Sequence, residues 1–401
     1  MLKSNILSLR LNENYVLYLA FFALGFGKFA FYVPLFALYF FLKGSQILAM
    51  PVRSSYLILT GLMLIATLPL YTLGADRMTI DNPFRSLMPL LFFLVVAGFV
   101  LQTKSQEVQF RLITFYILGF GFDALVLVGY SYWVDPVGYG YGLLLNPFNG
   151  EEINSPGPSN ILSILAALLI YFLFQKQRLV KRLAVVSLMA LVLMAAFFLG
   201  GRTFFVILAV SFLVMLFLGI KVSQIPKLVL YTSLLIILAF IFVSSMEFLS
   251  DKLEFTLQRL SGGLESNRFL HYAHGMNVFF DYPLGGFGID TTIENTKWFH
   301  NVFLDNARIG GWFPVLALII AVLYIAATLL VKRSQYFVLG YLLFVVSFLI
   351  MQQDVVLEGN FRVLIVMFFA GILLHAKKSV STISVSHTIS SFKSGSPCSK
   401  Y

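Results

Sequence analysis

Charge is what this chain has least of. Lys, Arg, Asp and Glu make up 11% of its 401 residues, where a soluble domain carries about 25%. So few charges cannot cover a water-facing surface, and water is excluded as the main solvent. Cysteine is almost missing too: the lone Cys398, in a polar tail, rules out a disulfide framework and a thiolate metal cluster. No H-E-x-x-H and no array of paired carboxylates at ligand spacing occurs, so neither a metal nor another cofactor is expected. Acidic residues number 18 against 28 basic ones, a net charge of +10. Nucleic acid is not the expected partner, because membrane proteins collect Lys and Arg in their cytoplasmic loops. No cleavable signal peptide is expected either: residues 1–13 are polar, and no small-residue cleavage site follows the first apolar run.

Apolar residues fill the gap. They make up 59% of the chain, with 43 Phe, and the mean hydropathy is +0.89. A bilayer core about 30 Å thick asks for roughly 20 apolar residues per helix. Such runs lie near 54–74, 86–103, 110–133, 157–175, 183–200, 203–220, 228–247, 312–331, 336–353 and 363–375. The stretch 14–43 is too long for one span and short for two, and Gly25, Gly27 and Lys28 interrupt it. Charge decides in favour of a hairpin of two short helices. Lys3, Arg10, Lys43, Arg53, Lys104, the run KQRLVKR (176–182), Lys221, Lys227, Lys332, Arg333, Lys377 and Lys378 then share the cytoplasmic side. Asp135, Glu151 and Glu152 fall opposite. The expected fold is an all-α polytopic membrane protein of about 12 transmembrane helices with both termini cytoplasmic. Residues 1–375 form the transmembrane domain, one large periplasmic loop near 248–311 contains short helices, and 376–401 is a Ser-rich cytoplasmic tail.

That loop holds the unusual chemistry. Arg259, Arg268, His271, His274, Lys297, His300 and Arg308 lie in it, with three of the five histidines. Ser266 or Asn267 can cap a helix through RFLHYAHGMNVFF, ended by Asp281-Tyr282-Pro283. Its spacing puts Arg268, His271, Tyr272 and Gly275 on one face. PLGGFG (283–288) reads as a tight loop, and HNVFLDNAR (300–308) as a second helical piece. On that piece His300, Leu304 and Arg308 would stack with Asn301 and Asp305 beside them, while Phe299, Val302 and Phe303 would rest on the membrane interface. Elsewhere Arg202 opens a span directly after Gly200-Gly201, Asn160 follows two prolines in NSPGPSNILS, and Arg85 stands at the mouth of a span in DNPFR.

Arginine suits phosphate oxygens and keeps its charge when partly desolvated. A histidine can act as general base toward a hydroxyl. Together they fit displacement of a phosphate-type leaving group by an alcohol, with a lipid-borne pyrophosphate as the donor. The order GGRTFFVILAV, NRFLHYAHGMNVFFDYPLGGFG, WFHNVFLDNARIGGWFPVLALII resembles the O-antigen polymerase and O-antigen ligase superfamily of bacterial surface-polysaccharide assembly. There an Arg opens a helix after small residues. A periplasmic loop then carries a second Arg, a Pro- and Gly-rich run and an H-N-x-x-L segment. The likeness covers residues 155–330.

It implies a GT-C-like, metal-independent glycosyltransferase of the inner membrane acting on an undecaprenyl-pyrophosphate-linked oligosaccharide. Membrane lipids and other assembly proteins, such as a flippase or a chain-length regulator, would be its partners. Arg202 and Arg268 would bind the pyrophosphate and His300 would activate or orient the acceptor hydroxyl, with Arg85, Asn160, Tyr272, Asn301, Asp305 and Arg308 lining the substrate. Arg308 stands near a position that the family fills with an acid, which leaves the parts of Arg308 and Asp305 open. The leading expectation is a polymerase, adding the glycan to another lipid-linked repeat unit. A ligase, delivering it to lipid A core, shares the donor chemistry. A flippase or transporter would place ionisable groups inside its spans, where this chain has few.

Overall fold

The computed structural model describes residues 13–80, 82–135, 143–219, 267–292, 297–331 and 334–376, with the single positions 233, 237 and 254. The expected span at 228–247 apart from positions 233 and 237, the loop residues Arg259 and Ser266, and the tail beyond Ala376 lie outside the described residues.

What is described is mostly helical. In chain order the helices are α1 (Glu13–Phe26), α2 (Tyr32–Leu48) and α3 (Ser54–Thr72). Then come α4 (Pro83–Thr103), α5 (Gln106–Val134), α6 (Pro156–Phe174) and α7 (Leu179–Leu199). The series ends with α8 (Arg202–Leu218), α9 (Asn267–Phe279), α10 (Val302–Gly310), α11 (Trp312–Val331), α12 (Phe337–Met351) and α13 (Arg362–His375). Six of them, α3 to α7 and α11, are long and apolar enough to cross a membrane. The one sheet among the described residues is a hairpin, β1 (Leu143–Leu145) with β2 (Glu152–Asn154), between α5 and α6.

The stretch 14–43 is two helices. They break at Gly27–Phe31, where Gly27, Phe29 and Ala30 all have positive φ. α1 lies against α5 at very short range, and glycine makes that possible. A Cβ on Gly25 would overlap the Tyr116 carbonyl, and one on Gly119 would overlap that of Phe22. Small residues let helix backbones meet in lipid, where dispersion rather than water exclusion drives packing. The centre of the bundle is α13, buried at every residue from Val363 to Leu374, as a helix apolar all round should be.

Polar groups gather at the two ends of this bundle. At one end the Arg53 N–H donates to Gln102 Oε1 (3.2 Å), the Gln335 N–H to Gln106 Oε1 (3.2 Å), and the Gln106 amide to the Ala376 carbonyl. The α2–α3, α4–α5 and α11–α12 connections therefore share an end with the close of α13. The opposite end holds residues 75–80, the β-hairpin, Gly200-Gly201, the described part of 267–311, and the α12–α13 connection.

Candidate functional site

The hub of the second end is the α12–α13 connection, Gln352 to Phe361. The apolar run 336–353 places Gln352 and Gln353 in a span, but the helix stops at Met351. Arg268 Nη1 donates to the Gln353 carbonyl (2.7 Å), and Thr203 Oγ1 to Gln353 Oε1 (2.9 Å). The Tyr272 hydroxyl donates to the Gln352 carbonyl (2.8 Å) and lies 3.3 Å from that of His300. Asn301 Nδ2 reaches Gln352 Oε1 at 3.0 Å. The next residue, Asp354, is buried and faces Asn160, Asn360 and Arg268; burial raises its pKa above the ordinary carboxylate value. Gly201 abuts Ser159, where a Cβ would overlap the hydroxyl, so the start of α8 with Arg202 and Thr203 meets the start of α6 with Asn160. Arg268, Tyr272, His300, Asn301 and Asn160 are thus drawn to one loop, with Arg202 adjacent through Thr203.

His300 does not stack with Arg308 as a helix repeat. Asn301 is the N-cap of α10, extended at φ −141° and ψ 119°, and its Oδ1 accepts from the N–H of Phe303 (3.0 Å) and Leu304 (3.2 Å). His300 therefore precedes the helix, in a left-handed conformation at φ 55°. Asp305 holds this turn. Its Oδ1 accepts from the Phe299 N–H (2.9 Å) and its Oδ2 from the Asn301 N–H (3.3 Å), one on each side of His300. Burial pushes the Asp305 carboxyl up to about 7 despite Arg308 beside it. The imidazole of His300 is pushed down to about 4, first by burial and then by the neighbouring Arg268 guanidinium and His271 ring. At neutral pH it is an uncharged acceptor.

Arg308 points elsewhere. Its Nη2 pairs with Glu358 Oε1 at 2.9 Å and its Nη1 donates to the Arg77 carbonyl at 2.7 Å. The Glu358 carboxylate also accepts from Trp298 Nε1 and from the N–H and hydroxyl of Thr79. Phe299 and Val302 are fully buried in protein rather than lying on lipid. Gly285 and Gly311, both at positive φ, let PLGGFG dock on the end of α10: Gly286 N–H donates to the Arg308 carbonyl (2.7 Å) and Trp312 N–H to that of Pro283 (2.9 Å). Arg85 is exposed at the start of α4, and no contact among the described residues joins it to this cluster. Five residues that the sequence did not single out, Gln352, Gln353, Asp354, Glu358 and Asn360, form the floor. Their signal was present as a polar run, QQDVVLEGN, between two apolar stretches.

Fold and site together define a mostly helical protein whose long apolar helices are those of a membrane protein, with a polar loop cluster at one end of the bundle. No family model matches this chain, and no curated protein matches it.

Proposed function

We propose that the chain is a bacterial inner-membrane glycosyltransferase of the O-antigen polymerase kind. It would have twelve spans, both termini in the cytoplasm and the loop cluster in the periplasm. Arg202 and Arg268 would take the pyrophosphate of an undecaprenyl-linked glycan. The hydroxyl of a sugar on a second lipid-linked repeat unit would attack the anomeric carbon. As the new C–O bond forms, the bond to pyrophosphate breaks, and the leaving oxygen carries away the electron pair against the two guanidiniums. His300 would accept the hydroxyl proton. A bound pyrophosphate offsets the charge of Arg268, one of the causes that depress the imidazole. The base would therefore strengthen when the donor is in place.

The observation that supports this reading most is the geometry at His300: a strained turn, clamped from both sides by Asp305, beside Arg268 on the Gln352–Gln353 loop. Strain of this kind persists where surrounding structure over-determines it, often at functional sites. The test is surface glycan on a gel from the native host. The polymerase reading expects His300→Ala to leave a single repeat unit on core. A normal ladder would sink it, and long glycan stranded on the lipid carrier would instead mark a ligase.

A further inference from the structure

We propose that the break between α1 and α2 is a second binding site, for the phosphate of a lipid headgroup, held by Lys28 with the charge of Arg362 beside it. Nothing in the reaction above uses these residues. Asp123, in the second half of α5, has a side chain 1% exposed and meets two cations, Lys28 Nζ at 3.3 Å and Arg362 Nη2 at 2.9 Å. Arg362 is committed to the fold: its Nη1 also donates to the Gly25 carbonyl (2.9 Å) and the Phe26 carbonyl (3.3 Å), closing the end of α1, and its guanidinium lies 4.6 Å from the centre of the Phe120 ring. Lys28 is committed less. Its ammonium meets Asp123 and lies 5.3 Å from the centre of the Phe148 ring in the β-hairpin.

Among the described residues one carboxylate, Asp123, meets both cations, and it cannot neutralise the two. Both cationic side chains keep 20% exposure, so the surplus charge can be approached from outside. The surface around it is apolar: Phe29, Phe31 and Phe122 are 65%, 54% and 47% exposed. Glu151 and Glu152, the acids of the hairpin, are exposed, and Glu151 is engaged by Asn149. A surplus cation in an aromatic rim suits an anion that carries its own apolar tail. A soluble anion would gain nothing from the rim and would forfeit its hydration at the entry. The chain also spends strain here, since Phe29 and Ala30 hold positive φ at 56° and 50°. Arg362 stands two residues from Asn360, which faces Asp354, so the two cationic sites share one end of the bundle. That the lipid here would be the acceptor's carrier rests on the polymerase reading; the phosphate site does not.

Titrating the purified full-length protein in detergent with farnesyl pyrophosphate, short-chain phosphatidylglycerol and inorganic pyrophosphate tests this. Lys28→Gln should weaken one phosphate-lipid site by about tenfold or more, the worth of a charge-assisted hydrogen bond. Lys28→Arg should restore it, and Arg268→Gln should leave it in place. Asp123 keeps Arg362 in the Lys28 variants, so the fold has no reason to fail, and an unchanged melting temperature checks that. Whichever of the two lipids binds there identifies the source. Equal binding of both lipids by wild type and Lys28→Gln would overturn the proposal. So would inorganic pyrophosphate binding at this site as tightly as the lipids. A normal glycan ladder from His300→Ala would fell the polymerase reading and leave this result standing.

Discussion

His300 is where sequence and structure part most instructively at the level of single residues. The spacing of HNVFLDNAR puts His300 and Arg308 on one helical face, but an Asn is a better N-cap than a helix interior residue. With Asn301 capping, His300 falls outside α10 and Arg308 turns to Glu358. Two measurements follow from the electrostatics. In the free protein the imidazole is pushed down to about 4, so on the proposed glycosyltransferase reading the acid limb of kcat/KM should lie near there. On the same reading the limb of kcat should lie higher, since a bound pyrophosphate would offset Arg268. Arg268→Gln should raise the kcat/KM limb, and limbs that coincide in wild type would contradict the assignment. Stability carries the same sign. Between pH 6.5 and about 4 the unfolded chain takes a proton that folded His300 refuses, so the fold weakens as pH falls through that window. A His300→Gln variant should show a flatter melting temperature across it. Asp305→Ala removes both acceptors around His300, leaving the buried Phe299 N–H unsatisfied at about 1–3 kcal/mol and the half-buried Asn301 N–H without its partner. Activity should fall with a loss of melting temperature, whereas His300→Gln should lose activity without one at pH 7.

At the scale of elements, hydropathy made most helices legible, because a run of apolar residues is a local property. The break in 14–43 was legible as well, from two glycines and a lysine in an apolar stretch and from the side on which cations must fall. What pairs with α1 was not. Gly25 and Gly119 are separated by most of four helices, and only packing shows that each makes room for the other's helix. Gly119→Leu should therefore cost about 3 kcal/mol or more, as overpacking at a backbone contact does, and should appear as a lower melting temperature in detergent. The opposite sign is expected at Ala30, whose left-handed φ of 50° costs an L-residue about 1–2 kcal/mol. Ala30→Gly should be neutral or stabilising in the same assay, and a clear loss would mean that the break is not strained.

At the scale of the molecule, Glu358 ties three segments together: Thr79 after α3, Trp298 before His300, and Arg308 in α10. Removing one partner of a buried ion pair costs about 3–5 kcal/mol because it strands the other charge. Glu358→Ala should lower the melting temperature sharply. Glu358→Gln, which keeps acceptors for Thr79 and Trp298, should lie between it and wild type. If the two variants match wild type, the cluster is not what holds the loops. That the protein belongs in lipid, where its helices run and that polar residues crowd one loop were all determined by the sequence, because burial in a bilayer is decided residue by residue along a line. Which polar groups meet was decided only by the tertiary structure. Arg268 and Gln353 are 85 residues apart, Arg308 and Glu358 50, Arg362 and Asp123 239. A charge or amide taken out of water needs a partner whatever its distance in the chain, and only the packing of helices from both ends of the sequence supplies one.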